Sequence, residues 1–346
     1  MFELHFFTSP DRITDATTGE IATRLPGMSQ TQNVTVQFSK PPAADALEVV
    51  EQCAKDGALD FTLRFYSHFP QEYLNTNILR KTPSVRKIAL DYFQVIEGFE
   101  ALVERPPMTA LCLGAYKTCP RELLRQLDGS QMTNLQISGI EKPKMDLAPL
   151  STFHRLTRLS VGKHVDGFKA ISDIPNLSYL SVSPNRKGNY ATLNTAPALE
   201  DLQFLLGGAD DFNHVAHERL KKLSVIRVRG LSDLGDLARF PNLTELHVED
   251  QIGLREIKFS ELNKSLRKIL IHNCKSLELL AGLEHLTHLE GISIVRTALD
   301  LDTLERVNFS KTLKILTLWS GRRREDDARD ARLKARGLQK TPFWQL

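Results

Sequence analysis

The chain has 346 residues, 41% of them hydrophobic and 25% charged, a composition that is typical of a packed core and excludes wholesale disorder. Its 45 lysines and arginines nearly balance its 42 aspartates and glutamates, so a net charge of +3 gives no reason to expect nucleic acid or an anionic membrane as the main partner. Four cysteines without CxxC spacing do not make a disulfide framework and favour reduced thiols.

The first segments of the chain predict a helix between two strands. Residues 33–38 (NVTVQF) and 59–65 (LDFTLRF) alternate apolar and polar positions as half-buried strands do. Between them, AADALEVVEQCAKDG has the spacing of an amphipathic helix, with Leu47 and Val50 on its buried face and Gly57 as its C-cap.

The N-terminus predicts a cap and gives no targeting signal. MFELHFF is a candidate edge strand, and it lacks the basic start and sustained apolar run of a secretory signal. No apolar run in the chain approaches the length of a membrane span. We therefore expect a cytoplasmic protein, with secretion as an effector lacking a recognisable signal as the alternative. Residues 1–82 are predicted to form a cap and degenerate repeats, because the first regular repeat would otherwise expose its core.

From Val85 onward one apolar frame, Leu-x-x-Leu-x-Leu, recurs eleven times at spacings of 20 to 24 residues. Apolar residues at alternating positions predict a short strand in each frame, and parallel stacking of these strands would bury a shared core. The frames are Val85/Ile88/Leu90, Met108/Leu111/Leu113, Met132/Leu135/Ile137, Leu156/Leu159/Val161, Leu177/Leu180/Val182, Leu199/Leu202/Phe204, Leu223/Ile226/Val228, Leu243/Leu246/Val248, Leu266/Ile269/Ile271, Leu289/Ile292/Ile294 and Leu313/Leu316/Leu318.

The segments between the frames supply apolar residues spaced by three, which favours 3₁₀ or short helical returns over second strands. A Pro-Asn-Leu triplet ends two of these returns, at residues 175–177 and 241–243. The proline stops the turn and directs the chain into the next strand. The returns contribute Leu147, Leu150, Phe153, Leu231, Leu234, Leu237, Phe240, Leu277, Leu280, Leu283 and Leu286.

These frames and returns resemble leucine-rich repeat proteins, particularly the irregular bacterial type with internalin-like repeats. The resemblance covers roughly residues 83–320 and implies an α/β solenoid, a horseshoe with a parallel β-sheet on its concave face. It also implies Asn or Cys at the ninth position of each repeat. Asn185 and Cys274 match this pattern, whereas other repeats carry Tyr116, Ile140, His164, Gly207, Leu231, Gln251 or Thr297.

The sequence gives little sign of catalysis. It has no Gly-rich phosphate loop and no Gly-x-Ser-x-Gly elbow. The segment DDFNHVAHE offers Asp210, Asp211, His214 and His217 as metal ligands, but the zincin order His-Glu-x-x-His is missing, so a polar return is the favoured interpretation. We expect no enzyme, no cofactor, no small-molecule substrate and no metal site.

A binding surface is predicted in the C-terminal half of the array. The outward strand positions of the middle repeats are small and neutral, whereas the later repeats change to Arg, His, Glu and Trp, which include typical interface anchors. Part of this charge is expected to be internally satisfied by pairing of Arg229 with Glu249, and the histidines are expected to give mild pH sensitivity. The candidate partner-binding residues are Arg227, Arg229, His247, Glu249, Asp250, His272, Arg296 and Trp319.

The favoured function is a non-catalytic scaffold, a monomer that recognises a protein partner on its concave face. A bacterial toxin-immunity or effector-type protein acting by binding is a specific alternative. Residues 321–346 contain the arginine-rich stretch GRRREDDARDARLKARGLQK, which predicts a C-terminal cap. Nucleic-acid binding by that segment is less favoured, because acidic residues lie among its arginines.

Overall fold

The structure is a computed structural model that describes residues 11–28, 34–57, 60–67, 72–138, 144–162 and 165–340. The chain forms two compact units, Met1–Leu177 and Ser178–Leu346. Both are built from stacked parallel strands, as the frames predict. The predicted boundaries at residues 82 and 320 stay predictions, and the MFELHFF edge strand lies outside the described residues.

The strands of the first unit pair in parallel, in the order β1-β2-β3-β5-β6-β7-β9. Strand β4 also pairs with β5, and β8 pairs with β10 on a separate small sheet. The strands are β1 Asp11–Thr14, β2 Val34–Phe38, β3 Phe61–Tyr66, β4 Tyr73–Asn75, β5 Lys87–Glu97, β6 Ala110–Thr118, β7 Asn134–Ser138, β8 Met145–Asp146, β9 Arg158–Val161 and β10 Val165–Asp166.

The second unit repeats this arrangement in the order β11-β12-β13-β14-β16-β18-β19, again with parallel pairing. Strands β15 and β17 form a separate two-stranded sheet. The strands are β11 Tyr179–Val182, β12 Asp201–Leu205, β13 Lys222–Ile226, β14 Glu245–Glu249, β15 Glu256–Lys258, β16 Lys268–His272, β17 Leu279–Ala281, β18 Gly291–Val295 and β19 Ile315–Trp319.

The returns are short helical turns, mostly 3₁₀. No helix in the described ranges has the length and apolar character needed to cross a membrane. The α-helices are α1 Thr18–Arg24, α2 Ala44–Lys55, α3 Glu100–Val103, α4 Leu123–Gln126, α5 Leu301–Glu305 and α6 Arg323–Ala335. The 3₁₀ helices are Thr76–Lys81, Ala148–Thr152, Phe168–Asp173, Ala191–Thr195, Leu237–Arg239, Glu261–Asn263 and Leu283–His285.

The apolar frames form the core. Ten of the eleven frames lie where the sequence predicts them, and each of their residues is at most 9% exposed. The predicted return residues are buried as well, including Phe153, Phe240 and Leu283. Alternation places these side chains on one face of each strand, and stacking removes that face from water.

The predicted helix and strands near the N-terminus are confirmed over the described residues. Helix α2 buries Leu47 and Val50, and Gly57 follows its end with a left-handed φ of 65°, as a C-cap glycine does. Strands β2 and β3 lie in the two predicted segments, whose first residues, Asn33 and Leu59, are not described.

The seventh frame is wrong by three residues. Strand pairing aligns Leu223 with Leu202 and Leu246, and Val225 with Phe204 and Val248, so the frame is Leu220/Leu223/Val225. Because Ile226 and Val228 are also apolar, the segment KLSVIRV satisfies the frame in either register. Contact with the neighbouring strands decides between the two.

The repeated Pro-Asn-Leu triplet has a structural reason beyond the turn. The Asn176 amide donates to the His154 carbonyl oxygen at 2.7 Å, and the Asn242 amide donates to the Glu218 carbonyl oxygen at 2.8 Å. Each asparagine therefore ties its return to the return of the preceding repeat. These bonds satisfy carbonyl groups that the return leaves outside its own backbone pairing.

The ninth position of some repeats carries a side chain that bonds to the backbone, although Asn and Cys are rare at this position. Gln251, fully buried, donates to the carbonyl oxygens of Val225 and Glu249, and the Cys274 thiol contacts the carbonyl oxygen of His272. Asn185 is exposed and its side chain accepts from the Lys187 N–H. The new register makes Val228, rather than Leu231, the ninth residue of its repeat. Ile140 and His164 lie outside the described residues.

The end of the second unit is covered by helix α6, which lies against β19. Leu333 of this helix is 2% exposed. Arg329 pairs with Asp302 at 2.9 Å, and Arg332 makes two bonds to the Glu305 carboxylate at 2.8 and 2.6 Å. Several arginines of this basic segment therefore serve to hold the helix on the repeat beneath it.

A buried polar chain crosses the first unit. Arg64 donates to the Asp91 carboxylate at 2.6 Å and to the Gln37 side-chain oxygen at 2.9 Å, and Gln37 donates to Thr14. The Cys112 thiol donates to Asp91 at 2.8 Å, and burial together with this carboxylate raises the pKa of the thiol. Polar side chains of five neighbouring strands are thus linked on the face opposite the apolar frame.

Candidate functional site

The strands of the second unit end in a left-handed turn, and this geometry positions the candidate residues. The residue after the strand has a φ of 50° to 61° in β12, β13, β14, β16 and β18. Because the conformation recurs in successive repeats, it belongs to the turn and is not a local distortion. These residues are Leu206, Arg227, Asp250, Asn273 and Arg296.

A groove of about 900 Å³ runs along the ends of β13, β14 and β16. We call it the strand-end groove and define it by Arg227, Arg229, Asp250, Ile252, Asn273 and Lys275. Ile252 is 82% exposed, the highest value among the exposed large apolar residues that the structure describes. The groove therefore combines an open apolar side chain with a polar, mostly basic lining.

The charges of the strand-end groove fall into two groups. Arg227 donates to the Asp250 carboxylate, with Nε at 3.0 Å, and Asn273 donates to the same carboxylate from the next repeat. In contrast, the side chains of Arg229 and Lys275 make no ion pair or hydrogen bond with any described residue. The side chain of Arg296, on the following repeat, also makes no ion pair or hydrogen bond with any described residue. The first group fixes the turns, and the second leaves positive charge exposed.

The expected pairing of Arg229 with Glu249 is wrong, for the same reason as the seventh frame. The new register aligns Glu249 with Ile226, and it moves Arg227 and Arg229 past the end of β13. Glu249 instead lies between two histidines, 3.1 Å from His247 Nε2 and 3.5 Å from His272 Nδ1. Among the predicted site residues, Glu249 and the two histidines lie together on the sheet. Arg227, Arg229 and Asp250 instead line the strand-end groove.

The two histidines change the acidity of Glu249. Burial on its own would raise the pKa of this carboxyl, but hydrogen bonds and positive charge from His247 and His272 hold it at about 2. The carboxylate therefore stays ionised well below the pH at which an ordinary glutamate takes up a proton. Because the folded-state pKa lies below the ordinary value of 4.5, the interaction stabilises the fold above about pH 4.5 and is lost as the pH falls toward 2.

Replacing Glu249 with glutamine is expected to flatten the acid dependence of stability. Each pKa unit corresponds to about 1.4 kcal/mol, so the wild type should lose about 2 kcal/mol more than the variant between about pH 6 and pH 3. Urea unfolding at several pH values measures this difference. Glu278→Gln is the control, because the exposed Glu278 side chain has no partner among the described residues. Equal slopes for the wild type and Glu249→Gln would contradict the prediction.

Trp319 contacts the helix at the end of the unit. Its Nε1–H donates to the Asp330 carboxylate at 3.0 Å, and Lys340 Nζ lies 5.7 Å from the ring centroid while pairing with Asp330 at 2.9 Å. An exposed tryptophan is costly unless something covers it, and here residues of α6 and the following segment cover it in part. Its role as a partner anchor stays a prediction.

The site predicted from the sequence does not include Ile252, Asn273 and Lys275. Ile252 and Lys275 lie after the strands, outside the frame and the outward strand positions, whereas Asn273 stands at the same turn position as the predicted Asp250 and Arg296. One local signal was available: in EDQIGLRE an isoleucine follows the strand and stands directly before a glycine, off the frame. An isoleucine that lies outside the apolar frame is a candidate surface residue.

The two histidines among the candidate metal ligands make contacts within the protein. His217 is 4% exposed, its Nε2 lies 3.0 Å from the Ala196 carbonyl oxygen, and its Nδ1 accepts from the Arg219 N–H. His214 stacks on Tyr190 at 6.1 Å between ring centroids. Across the ranges that the structure describes, no three His, Cys, Asp or Glu side chains are arranged to hold a metal ion.

Solved structures with the same architecture include an internalin (InlF) from Listeria monocytogenes, 14% identical, with a TM-score of 0.51 over 82% of this chain and 81% of that one. A leucine-rich repeat protein from Leptospira interrogans is 12% identical, with a TM-score of 0.43 over 90% of both chains. An internalin C2 from Listeria monocytogenes is 16% identical, with a TM-score of 0.37 over 80% of this chain and 94% of that one. No family model and no curated protein matches the sequence.

The parallel strands, the 3₁₀ returns and the likeness to the internalin show a leucine-rich repeat fold. The predicted solenoid class is confirmed. At this level of identity the likeness concerns the fold alone.

Proposed function

We propose that this leucine-rich repeat protein is a non-catalytic scaffold that binds a protein partner through its second unit. The observation that carries the proposal is the strand-end groove, where Ile252 is 82% exposed and the neighbouring cations Arg229 and Lys275 are unpaired within the described chain. Apolar side chains next to uncompensated arginine are typical of interfaces. None of the structural relatives above is described as an enzyme.

The contact surface in this proposal extends from the sheet to the strand ends. The sheet contributes His247, Glu249 and His272, and Trp319 lies two strands beyond His272 at the same register position. The strand ends contribute the groove residues and Arg296. The other outward positions of these strands offer less contact surface, because Ser293 and Thr317 are fully buried. We therefore place the main contact at the strand ends, with the concave sheet face as a secondary contact.

A toxin-immunity or effector-type role fits the same surface, since either would act by binding. Nucleic-acid binding through the basic C-terminal segment is less favoured, because Arg329 and Arg332 are already paired with acidic residues of the repeat beneath them. Retention on heparin that falls steeply with salt would favour it instead.

Affinity capture with the full chain tests the proposed function. The wild type and Arg229→Ala are used side by side on lysate of the source cell, and a captured protein is then titrated in purified form. Arg229→Ala is expected to weaken binding by more than about 1 kcal/mol, as loss of an interface anchor does. Trp319→Ala is expected to do the same, provided that its melting temperature is unchanged.

Matched controls separate the groove from general charge effects. Arg219→Ala removes an exposed arginine at the opposite end of β13, and Ser160→Ala and Ser181→Ala change the middle of the array. All three are expected to bind the partner as the wild type does. If the serine variants lose affinity and Arg229→Ala keeps it, the site lies elsewhere.

A further inference from the structure

The chemistry of the strand-end groove indicates what kind of protein segment it takes. Three of its six defining residues are cationic, Arg227, Arg229 and Lys275, and one is acidic, Asp250. The Asp250 carboxylate is occupied by Arg227 and Asn273. Its charge is therefore directed into the floor of the groove, and the exposed rim carries the two cations that have no described partner.

Ile252 lies between those two cations. Arg229, Ile252 and Lys275 each stand two residues after the left-handed position of their turn, on three successive repeats. The equivalent residues of the flanking repeats are Gly208 and Ala298, which are small. A single exposed apolar residue is ordinary on a protein surface. An isoleucine between two unpaired cations is a more specific pattern, because its complement is a ligand with an apolar group and negative charge on both sides of that group.

Side-chain bonds and a required glycine hold the floor of the strand-end groove in one conformation. The Arg227–Asp250–Asn273 bonds connect three repeats. Gly253 follows Ile252, and a Cβ atom there would lie 2.9 Å from the Leu231 carbonyl oxygen, so this position requires glycine. A site held in one conformation loses less entropy when it binds a ligand.

Nucleic acid fits this groove less well than an acidic segment of protein. Phosphates would be attracted to Arg229 and Lys275, but single-stranded binding sites depend on aromatic residues for base stacking, and the groove lining contains no aromatic residue among those described. Ile252 would have no complementary group on a phosphate backbone. An aliphatic side chain flanked by carboxylates complements both features.

We infer that the strand-end groove binds an acidic protein segment that carries an aliphatic side chain, which packs on Ile252 while flanking carboxylates pair with Arg229 and Lys275. This inference rests on the proposed function and specifies the partner's chemistry. Carboxylate pairing with arginine supplies direction and register, and burial of the aliphatic side chain supplies selectivity.

Fluorescence anisotropy with a defined probe tests the inference on the full chain. The probe is a fluorescein-labelled nonapeptide with leucine at its centre and glutamate at every other position. A second peptide has serine at the centre, and a third has lysine in place of glutamate. At low ionic strength the leucine peptide is expected to bind about fivefold more tightly than the serine peptide. The lysine peptide is expected not to bind.

Three variants assign the binding to the groove. Arg229→Glu combined with Lys275→Glu should weaken the leucine peptide at least about tenfold. Ile252→Ser should abolish the preference for leucine over serine while keeping affinity for the acidic backbone. Arg219→Glu combined with Lys264→Glu, at the opposite strand ends, is the charge-matched control and should change affinity less than about twofold. Because the side chains changed in the groove are exposed, all variants should keep the wild-type melting temperature.

Equal binding of the leucine and serine peptides, or an unchanged affinity in the groove double variant, would overturn the inference. So would an oligonucleotide of equal charge that binds more tightly than the peptide through the same two cations. If the peptide fails but a captured protein still depends on Arg229, the acidic-segment inference fails and the proposed function stands. If no captured protein depends on Arg229, the proposed function fails independently of the peptide result.

Discussion

Replacing Leu246 with aspartate is expected to destabilise the second unit by at least about 5 kcal/mol, enough to unfold a marginally stable domain. Leu246 is fully buried in β14, directly between Leu223 of β13 and Ile269 of β16. The substitution removes a packed side chain and places a carboxylate where the surrounding apolar frame offers it no partner. Urea unfolding followed by circular dichroism measures the change, and Ile269→Asp is expected to give the same result.

Leu262→Asp is the matched control, because the same chemical change is made at a leucine that is 61% exposed. It should alter the free energy of unfolding by less than about 0.5 kcal/mol. Since repeats couple mainly to their neighbours, hydrogen exchange in Leu246→Asp should rise first in β13, β14 and β16. A melting temperature unchanged by Leu246→Asp would refute the core assignment.

The second large effect is expected at the buried ion pair of the first unit. Asp91→Ala leaves the Arg64 guanidinium, whose side chain is 9% exposed, without its carboxylate at 2.6 Å. An uncompensated buried charge costs about 3 to 5 kcal/mol. The free energy of unfolding, measured in urea at neutral pH, should fall by that amount.

A double variant tests whether the cost comes from the orphaned charge. Arg64→Met combined with Asp91→Leu removes both charges and keeps similar volume, and it should be less destabilising than Asp91→Ala alone. Glu104→Ala breaks the exposed pair of Glu104 with Arg80 and should cost at most about 1 kcal/mol. A double variant as unstable as the sum of its single substitutions would contradict this account.

The sequence predicted most of the apolar core because its pattern is local. Ten frames, the leucines of the returns, and helix α2 with Leu47, Val50 and Gly57 are where alternation and helical spacing indicate. Each of these signals depends on neighbours only a few residues away, and a strand or turn formed by them has one apolar face that must be buried.

The candidate site was predicted less well, and one slipped frame explains much of the difference. Leu223 and Val225 share a face with Phe204 and Leu246, yet Ile226 and Val228 satisfy the same alternating pattern. A shift of three residues moved Arg227 and Arg229 from the strand end to the sheet face in the prediction. With that shift, Arg229 is not aligned with Ile252 and Lys275, which stand at the same position of the next two turns.

The sequence by itself determined that this protein is a stack of short parallel strands with leucine-rich returns, since a period of two repeated at regular spacing allows few other ways to bury its apolar residues. Tertiary structure alone decided the register of β13 and the link from Arg64 to Asp91. These features join residues one repeat or more apart. Which side chains meet there depends on how neighbouring strands stack, and no single segment of sequence carries that information.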